Sequence, residues 1–240
     1  MSGTDTENPA DRPTALILGA SRGLGLGLVV EYLERGWRVV ATVRPGGSTD
    51  VFLPTHKTHH DRLQVEFLDI NRPDTVHALK NKLAPNSLDL LFVNAGVSRG
   101  PEDNVSTIAT DDFMDLMVTN ALSPLRAITA FSPLVNSTGT IAVMSSGLGS
   151  VSNNSNGQWE VYRASKASLN TLVRSFAARQ PAQTHTYLCI SPGWVKTDMG
   201  GDDAPLDITT SISGIATTIR ARSGLGGVHY VDYRNEPIEW

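Results

Sequence analysis

The stretch Thr14-Ala-Leu-Ile-Leu-Gly-Ala-Ser-Arg-Gly-Leu-Gly25 decides the fold of this chain. Its first five residues form a short apolar run typical of a buried β-strand, and a helical pattern begins at about Leu24. The glycines between them have the spacing G-x-x-x-G-x-G, which lets the chain turn sharply and brings backbone N–H groups close to a pyrophosphate. An ordinary glycine-rich turn is the alternative. We predict a nucleotide-binding loop formed by Gly19, Ser21, Arg22, Gly23, Leu24 and Gly25.

Outward from this loop, short apolar runs alternate with longer patterns typical of helices. Strands separated by helices in this way imply βαβ crossovers and a parallel sheet covered on both faces. The predicted strands are Thr14–Leu18, Trp37–Val43, Leu63–Leu68, Leu88–Val93, Thr140–Met144, Thr186–Ile190 and Gly227–Val231. The predicted helices are Leu24–Arg35, Asp74–Leu83, Asp111–Val135, Glu160–Ala178 and Leu206–Arg222. We therefore predict an α/β fold, a single-domain Rossmann-type doubly wound parallel sheet with helices on both faces.

The composition narrows the class of protein. The 240 residues carry a net charge of −4 and include one cysteine, Cys189. The acidic balance argues against a nucleic-acid or membrane-surface partner, and the single cysteine excludes a disulfide scaffold or a multi-cysteine zinc site. Residues 1–12 are polar and lack an apolar core, so we expect a flexible tail and not a signal peptide. Residues 13–240 are then one domain, and the expected location is the cytoplasm.

The end of the second predicted strand bears on the choice of nucleotide. Enzymes that use NAD usually place an acid there, to bond the ribose 2′-hydroxyl. This chain has Ala41-Thr42-Val43-Arg44 and no acid. Arg44, together with Arg22 in the glycine loop, could flank a 2′-phosphate, and two charge-assisted bonds would favour NADP over NAD by about 100-fold or more. We predict NADP(H) as the cofactor; two solvated surface arginines are the alternative.

Further motifs follow the predicted strands in order. They are Asn94-Ala-Gly96 after the fourth strand, Ser146 after the fifth, Tyr162-x-x-x-Lys166 in the next helix and Pro192-Gly193 after the sixth strand. Together, from about Thr14 to the C-terminus, these motifs resemble the short-chain dehydrogenase/reductase family. The chain is also similar to one branch of that family, the C-factor-like and sniffer-like carbonyl reductases. The closer likeness rests on Tyr162-Arg-Ala-Ser-Lys-Ala-Ser-Leu-Asn170, on Pro192-Gly-Trp-Val-Lys-Thr-Asp-Met-Gly-Gly201 and on Trp240.

Tyr162 and Lys166 carry the predicted acid–base chemistry. They stand four residues apart on one predicted helix and therefore share a face. A free phenol has a pKa of about 10, too high for good acid–base catalysis at neutral pH, and a neighbouring ammonium should lower it. Tyr162 would give its proton to a carbonyl oxygen as hydride arrives, or take it back in the alcohol direction. The resemblance implies that Lys166 also bonds the nicotinamide ribose.

The resemblance implies two further catalytic residues. A serine that donates a hydrogen bond to the substrate oxygen is followed in the family by x-x-Gly, which fits Ser146 in Ser146-Gly-Leu-Gly149 better than Ser145. Ser145 would then satisfy backbone groups at the strand end. Asn120 lies inside a predicted helix, where Asn is a poor residue, and matches the family asparagine that holds a water linking the lysine to solvent. A structural asparagine is the alternative.

The resemblance also implies cofactor contacts at other strand ends. Asp69 matches the acid that meets the adenine ring, with Ile70 beside it. The fourth-strand motif would line the adenine ribose, and two residues after the sixth strand would bind the carboxamide and pyrophosphate. These positions are Asn94, Ala95, Gly96, Val195 and Thr197.

Other features are less informative. The histidines of His56-Lys-Thr-His-His60, followed by Asp61, could ligate a metal, but a local loop lacks the fixed geometry of a zinc site. We predict an exposed loop there and no metal. Cys189 lies in an apolar strand and is expected to be buried. Trp159 and Trp194 flank the expected pocket mouth, and each could contact substrate or belong to the core or an interface.

These observations predict an NADP(H)-dependent oxidoreductase that reduces a small ketone, aldehyde or quinone to an alcohol. Its catalytic set would be Asn120, Ser146, Tyr162 and Lys166. The alternative is a nucleotide-binding signalling or regulatory protein of C-factor type with little or no turnover. The resemblance implies a homodimer or homotetramer formed through the helices that hold Asn120 and Tyr162.

Overall fold

The structure, a computed structural model, describes residues 12–180 and 184–240. Seven strands form one parallel sheet with the order β3-β2-β1-β4-β5-β6-β7. The strands are β1 (Thr14–Leu18), β2 (Arg38–Val43), β3 (Leu63–Phe67), β4 (Leu88–Val93), β5 (Val135–Met144), β6 (Thr186–Ser191) and β7 (Gly227–Asp232). The predicted doubly wound parallel sheet is confirmed. The tail predicted over residues 1–12 lies outside the described residues, apart from Arg12.

Side chains of β1 alternate between two hydrophobic cores. Ala15 and Ile17 belong to the core on one face of the sheet, and Leu16 and Leu18 to the core on the other. All four are fully buried, because successive side chains of a strand point to opposite faces and both faces are covered. This explains why the strand reads as a continuous apolar run rather than as an alternating one.

Helices cover both faces of the sheet. The helices are α1 (Gly23–Glu34), α2 (Leu53–His59), α3 (Pro73–Lys80), α4 (Thr110–Met117), α5 (Ser123–Phe131), α6 (Glu160–Ala178) and α7 (Ile208–Arg222). Residues of α1 and α7 complete one core, and residues of α3, α5 and α6 complete the other. Within the described residues, no helix is both long and apolar enough to cross a membrane.

The prediction of one continuous helix over Asp111–Val135 is wrong. The structure divides it into α4, a π-helical turn at Val118–Leu122, and α5, and Val135 already belongs to β5. Pro124 explains the break, since it has no N–H to donate to the carbonyl four residues earlier and its ring would clash with that carbonyl. That carbonyl belongs to Asn120, so the distorted turn lies at a predicted catalytic residue. Such π turns are frequent at functional sites.

The loop predicted around His56–His60 is also wrong, because most of this segment is helical. Helix α2 spans Leu53–His59 and follows Phe52, which is fully buried and anchors the segment to the core. Among residues 12–180 and 184–240, no group of three or more His, Cys, Asp or Glu side chains is placed to hold a metal ion. Cys189 is fully buried, as predicted.

Candidate active site

The site lies where the order of the strands reverses. Strands β1 and β4 are neighbours, although β2 and β3 follow β1 in the chain and lie on its other side. Ligands of open α/β sheets bind in the crevice at the carboxyl ends of strands on either side of such a reversal. Two segments line this crevice from adjacent strands, the loop that begins at Gly19 and the motif that begins at Asn94.

The glycine loop is closed against the end of β4. The side-chain amide of Asn94 donates a hydrogen bond to the carbonyl of Gly19 at 2.7 Å, and the backbone N–H of Ala95 donates to the carbonyl of Leu18 at 3.0 Å. Gly19 adopts a φ of +86°, and a Cβ there would lie 2.9 Å from the backbone of Ala95. A Cβ on Gly25 would overlap the Gly19 carbonyl and lie 2.6 Å from the Asn94 amide nitrogen. The glycine loop and the end of β4 lie so close together that only glycine fits at positions 19 and 25.

Helix α1 begins inside this loop and offers free donors to it. Arg22 precedes the helix in extended conformation, and the N–H groups of the first helical turn, at Gly23, Leu24 and Gly25, have no acceptor within the helix. Ser21 stands half-buried before them. Free N–H groups and the positive end of a helix dipole fit a pyrophosphate, so the loop can hold the phosphates of a dinucleotide.

A groove of about 430 Å³ lies beyond the ends of β2 and β3. Its lining consists of Arg44, Pro45, Gly46, Gly47, Asp69 and Arg72. Two guanidinium groups and one carboxylate in a single groove fit an adenosine that carries a 2′-phosphate, because guanidinium forks match phosphate geometry. Asp69 is held in place by a bond from the N–H of Asn71 at 2.9 Å, and Ile70 is buried in the core behind it.

Arg22 lies beside an acidic residue of the segment after β6. Its guanidinium forms an ion pair with the Asp198 carboxylate at 2.5 Å, and both side chains are largely exposed. The residue that joins Arg44 in the groove is Arg72, which the sequence analysis did not consider. Arg72 is likewise paired with a carboxylate, that of Asp74 at 2.8 Å, so Arg22 and Arg72 are both exposed arginines held by an acidic residue. Arg22 links the glycine loop to the segment after β6.

The segment after β6 adjoins the glycine loop from the other side. A Cβ on Gly23 would lie 3.8 Å from the Thr197 methyl group, which places residue 197 beside the start of α1. The Thr197 hydroxyl accepts a bond from the N–H of Gly200 at 3.0 Å, and Val195 is buried. Trp194, which is 57% exposed, donates its indole N–H to the Gly200 carbonyl at 2.7 Å. The ring of Trp194 thereby stabilises the loop that carries Val195 and Thr197.

Lys166 lies at the centre of the predicted catalytic residues. Its Nζ donates a hydrogen bond to the Met144 carbonyl at 2.9 Å and lies 5.7 Å from the centroid of the Tyr162 ring. The side chain is almost fully buried, and burial lowers its pKa to about 8. A Cβ on Gly96 would lie 3.5 Å from this Nζ, so the end of β4 also reaches the lysine.

The expected effect of Lys166 on the pKa of Tyr162 does not dominate in the structure. Burial raises the pKa of the Tyr162 phenol to about 12, because a phenolate would lose its hydration there, and the Ser146 side chain opposes this as a hydrogen-bonding partner. The phenol is therefore protonated throughout the neutral range. A protonated phenol suits a group that gives a proton away.

The two candidate serines have different surroundings. The Ser145 hydroxyl is buried and donates to the Asn170 side-chain oxygen at 2.7 Å, so it is engaged within the protein. The Ser146 hydroxyl accepts a bond from the N–H of Leu148 at 3.1 Å, is half-buried, and has the Tyr162 phenol as a hydrogen-bonding partner. This difference supports Ser146 as the residue that faces a substrate. The Tyr230 hydroxyl donates to the Ser146 carbonyl.

Asn120 joins three elements within the distorted turn. Its side-chain oxygen accepts from the N–H of Val97 at 2.8 Å, and its amide nitrogen donates to the Val97 carbonyl at 2.8 Å and to the Ser165 hydroxyl at 3.0 Å. Ser165 precedes Lys166 in α6, and Gly96 precedes Val97 after β4. Asn120 therefore holds the end of β4 and the second turn of α6 together beside the lysine.

A family model described as short chain dehydrogenase matches residues 13–205 of the chain. The protein belongs to the short-chain dehydrogenase family. The family resemblance inferred from the motifs is thereby confirmed. The matched residues include the glycine loop, the Tyr162–Lys166 pair and the segment after β6.

Two solved structures are similar over almost the whole of this short-chain dehydrogenase, and a shorter relative is similar over about two thirds of it. A short-chain dehydrogenase/reductase from Burkholderia multivorans, crystallised with bound NADP, is 45% identical with a TM-score of 0.92, over 95% of this chain and 100% of that one. A carbonyl reductase from Pseudomonas aeruginosa PAO1 in complex with NADP is 37% identical with a TM-score of 0.88, over 96% and 100% of the two chains. The C-signal protein of Myxococcus xanthus is 32% identical, over 69% of this chain and 100% of its own length.

Residues that the sequence analysis missed come from distant parts of the chain. Arg72 lies just after β3, Ser165 lies in the helix of Tyr162, and Tyr230 lies in β7, yet each contacts a residue of the site. Arg72 could have been found from the sequence, because it is a basic residue shortly after β3, the strand that neighbours β2. The contact of Tyr230 had no local signal, because it depends on the pairing of β6 with β7.

Proposed function

We propose that the protein is an NADP(H)-dependent carbonyl reductase that converts a ketone, aldehyde or quinone into an alcohol. The observation that carries the proposal is the surroundings of Tyr162: a protonated phenol, the buried ammonium of Lys166 at 5.7 Å from its ring centroid, and the half-buried hydroxyl of Ser146. These groups lie at the carboxyl edge of the sheet, next to a loop that fits a dinucleotide. The similarity of this chain to the carbonyl reductase from Pseudomonas aeruginosa supports the same proposal.

The chain's own residues supply both donors to the substrate oxygen. Ser146 would donate a hydrogen bond to the carbonyl oxygen, and Tyr162 would transfer its proton to that oxygen as negative charge develops. NADPH, when bound, supplies the hydride that adds to the carbonyl carbon. The charge left on the Tyr162 oxygen would be stabilised by the Lys166 ammonium, which is mostly protonated at neutral pH at a pKa of about 8.

Asn120 would act by positioning rather than by proton transfer of its own. Both of its amide hydrogens are engaged, by the Val97 carbonyl and the Ser165 hydroxyl. Its side-chain oxygen keeps a second lone pair, and a Cβ on Gly96 would lie 3.3 Å from that oxygen. The role expected from the family, a water held between Asn120 and the lysine, would use this lone pair.

Each part of the cofactor is assigned to a segment at the carboxyl edge of the sheet. The glycine loop would hold the pyrophosphate, and Asn94, Ala95 and Gly96 would line the adenine ribose. Arg44 would bind the 2′-phosphate together with Arg22 from the glycine loop or Arg72 from the groove, and Asp69 with Ile70 would meet the adenine. Val195 and Thr197 would face the carboxamide and pyrophosphate. The NADP bound to the Burkholderia multivorans and Pseudomonas aeruginosa relatives supports this choice of nucleotide.

The test is the consumption of NADPH by the purified protein, followed by absorbance, with a panel of diketones, quinones, aldehydes and ketones. We expect turnover with NADPH on at least one compound, and slower turnover with NADH. Tyr162→Phe should lower kcat by at least about 100-fold, the lower end of the range for general acid–base catalysis, and leave NADPH affinity nearly unchanged. Turnover by Tyr162→Phe at the wild-type rate would exclude this mechanism.

A second candidate function is favoured by the similarity to C-signal. A nucleotide-binding signalling or regulatory protein would bind NADPH, seen as a change in NADPH fluorescence, but would consume it with no compound of the panel. The intact set of Asn120, Ser146, Tyr162 and Lys166 favours the enzyme.

The proposed assembly is a homodimer or homotetramer in the cytoplasm. Leu122 and Leu172, at the end of the π turn and in α6, are large apolar side chains with 39% and 38% of their surface exposed. They line one cavity of about 600 Å³ between α3, α5 and α6. Light scattering after size-exclusion chromatography should give a mass of two or four chains, and a mass of one chain would exclude the assembly.

A further inference from the structure

Trp159, three residues before Tyr162, has an unfavourable backbone conformation. Its φ of 60° and ψ of 34° lie in the left-handed region. Bulky L-residues rarely adopt this region, and such strain persists only where surrounding contacts hold it. Helix α6 begins directly after this residue, so the strained position marks the entry to the helix that carries the catalytic tyrosine.

Arg163 holds the strained segment in place. This arginine is only 8% exposed, and its Nε donates to the Gln158 carbonyl at 2.7 Å while its Nη2 donates to the Asn156 side-chain oxygen at 3.2 Å. Its backbone N–H donates to the Trp159 carbonyl at 2.8 Å. One buried guanidinium therefore bonds two residues of the turn before α6, directly ahead of the left-handed Trp159.

The conformation presents the indole to the catalytic tyrosine. The Trp159 and Tyr162 rings lie 6.1 Å apart between centroids, at an angle of 66°, which is an edge-to-face contact. The indole is only half-buried and belongs to neither hydrophobic core of the described chain. A residue needed only for packing would be buried in a core and would not require a strained backbone. The exposed part of the indole is therefore free to contact a further molecule.

Other side chains beside the catalytic residues are also apolar. Val97, held by Asn120 next to Lys166, is 37% exposed, and Leu148, whose N–H bonds the Ser146 hydroxyl, is half-buried. A ligand that reaches Ser146 and Tyr162 would thus meet aliphatic and aromatic surface. Uncharged, flat groups suit such a surface, since a charged group would lose hydration without gaining a partner.

We propose that Trp159 is a specificity-determining residue that packs against a flat, apolar group attached to the substrate carbonyl. Arg163 is its positioning residue, because it holds the backbone that directs the indole toward Tyr162. This inference rests on the proposed function, in which Tyr162 protonates the carbonyl oxygen. It adds a second contact to the substrate, on the side of the catalytic tyrosine.

The test compares two diketones that share the reacting group, 1-phenyl-1,2-propanedione and 2,3-butanedione, with the NADPH-loaded enzyme. Trp159→Gly and Trp159→Ala should each lower kcat/KM for the phenyl compound by about 3- to 10-fold, the range expected for loss of one aromatic pair. The value for 2,3-butanedione, which carries no flat group, should fall by a smaller factor. Trp159→Phe should retain most of the preference for the phenyl compound. Equal losses with both diketones, or no loss with either, would overturn the proposal.

Measurements of protein stability distinguish the effect of backbone strain at Trp159 from the effect of losing its indole ring. Glycine adopts a positive φ without strain, whereas alanine keeps the strain, so Trp159→Gly should have a higher Tm than Trp159→Ala. Both variants lack the indole and should lose the phenyl preference equally. A Trp159→Gly variant that kept the preference would show that the ring does not touch the substrate.

The role of Arg163 is tested through Trp159. Arg163→Gln should lower the phenyl preference in the wild-type background and have no further effect on it in the Trp159→Gly background. An equal effect in both backgrounds would show that Arg163 acts independently of the indole.

Binding provides a readout that does not depend on turnover. In the presence of NADP⁺, the phenyl diketone should raise the Tm of the wild type more than 2,3-butanedione does, and this difference should vanish in Trp159→Gly. An unchanged difference in that variant would overturn the inference, even if the wild type reduced neither compound. Absence of turnover in the wild type would contradict the proposed function alone.

Discussion

The Tyr230 hydroxyl donates a hydrogen bond to the backbone carbonyl of Ser146, and so connects the last strand of the sheet to the predicted catalytic serine. Tyr230 is buried and also packs its ring against Trp240, with centroids 5.3 Å apart. The bond restrains the turn in which Ser146 leaves β5. Because the hydroxyl bonds the backbone carbonyl of Ser146 and not its side chain, its effect on catalysis would come from the placement of Ser146.

Tyr230→Phe tests this connection. The substitution keeps the ring packing but leaves the Ser146 carbonyl without this donor, so we expect the free energy of unfolding to fall by about 0.5–1.5 kcal/mol. The kcat of carbonyl reduction should fall about 2- to 10-fold, with NADPH affinity unchanged. Thermal unfolding and steady-state kinetics measure the two effects.

Tyr32→Phe is the matched control for Tyr230→Phe. The Tyr32 hydroxyl is also buried, but it has no hydrogen-bond partner in the described part of the chain. Its removal should leave stability unchanged or raise it, since a buried unpaired hydroxyl costs free energy. If Tyr32→Phe were as destabilising as Tyr230→Phe, the bond to Ser146 would not explain the loss.

The rate of reduction should depend on pH through Lys166. Burial lowers the pKa of this ammonium to about 8, and the Cys189 thiol, which lies close enough to interact with it, has a pKa raised by burial to about 12 and stays neutral. The charged form of Lys166 exists below about pH 8, so kcat/KM should be flat below that pH and fall above it. A profile that stayed flat to pH 10 would contradict a catalytic role of the charge.

Loss of folding would not explain that fall between about pH 8 and 9. The pKa of Lys166 is lower in the folded protein than in the unfolded chain, so the unfolded chain binds more protons in this range, and the contribution of Lys166 to stability increases with pH. Thermal unfolding at each pH checks this. Lys166→Arg, which stays charged, should move the alkaline limb to higher pH if it retains activity.

Preference for NADPH over NADH should depend on Arg44 and Arg72. Both line the groove beside Asp69, and each side chain is solvent-accessible, so each alanine substitution should weaken NADPH binding by about 5- to 10-fold. NADH binding should change little, because it has no 2′-phosphate. Titrations followed by NADPH and NADH fluorescence measure these affinities.

Arg22→Ala distinguishes the two assignments of the second arginine. Arg22 is not among the residues that line the groove of Arg44 and Arg72, so its loss should change NADPH and NADH affinity by the same factor. A selective loss of NADPH affinity in Arg22→Ala, with none in Arg72→Ala, would restore Arg22 to the 2′-phosphate.

Gly25→Ala should disrupt the glycine loop. The added Cβ would overlap the Gly19 carbonyl and lie 2.6 Å from the Asn94 amide nitrogen, and these atoms form the hydrogen bond that closes the loop. We expect at least about a tenfold loss of affinity for both NADPH and NADH and a loss of stability of about 1–3 kcal/mol. Gly100→Ala is the control, because a Cβ there meets no atom within 4 Å. Equal effects of the two substitutions would contradict the close approach.

Sequence and structure agree best where one short segment carries the whole signal. Strand β4 and helix α6 have the predicted bounds, Leu88–Val93 and Glu160–Ala178, because their apolar patterns are continuous and their ends are marked by turn residues. The continuous helix predicted from Asp111 failed because the pattern of apolar residues does not register the missing N–H of Pro124. The histidine segment failed because the burial of Phe52, which anchors α2, is a tertiary contact.

By itself, the sequence determined the sheet, the glycine loop and the pairing of Tyr162 with Lys166, since these depend on spacing along the chain and on strand–helix alternation. Only the tertiary structure showed that Arg72 lines one groove with Arg44, and that burial sets the pKa of Tyr162. Which side chains meet at the strand ends depends on which strands are adjacent in the sheet. Burial likewise depends on every element that covers a residue, and no local pattern carries that information.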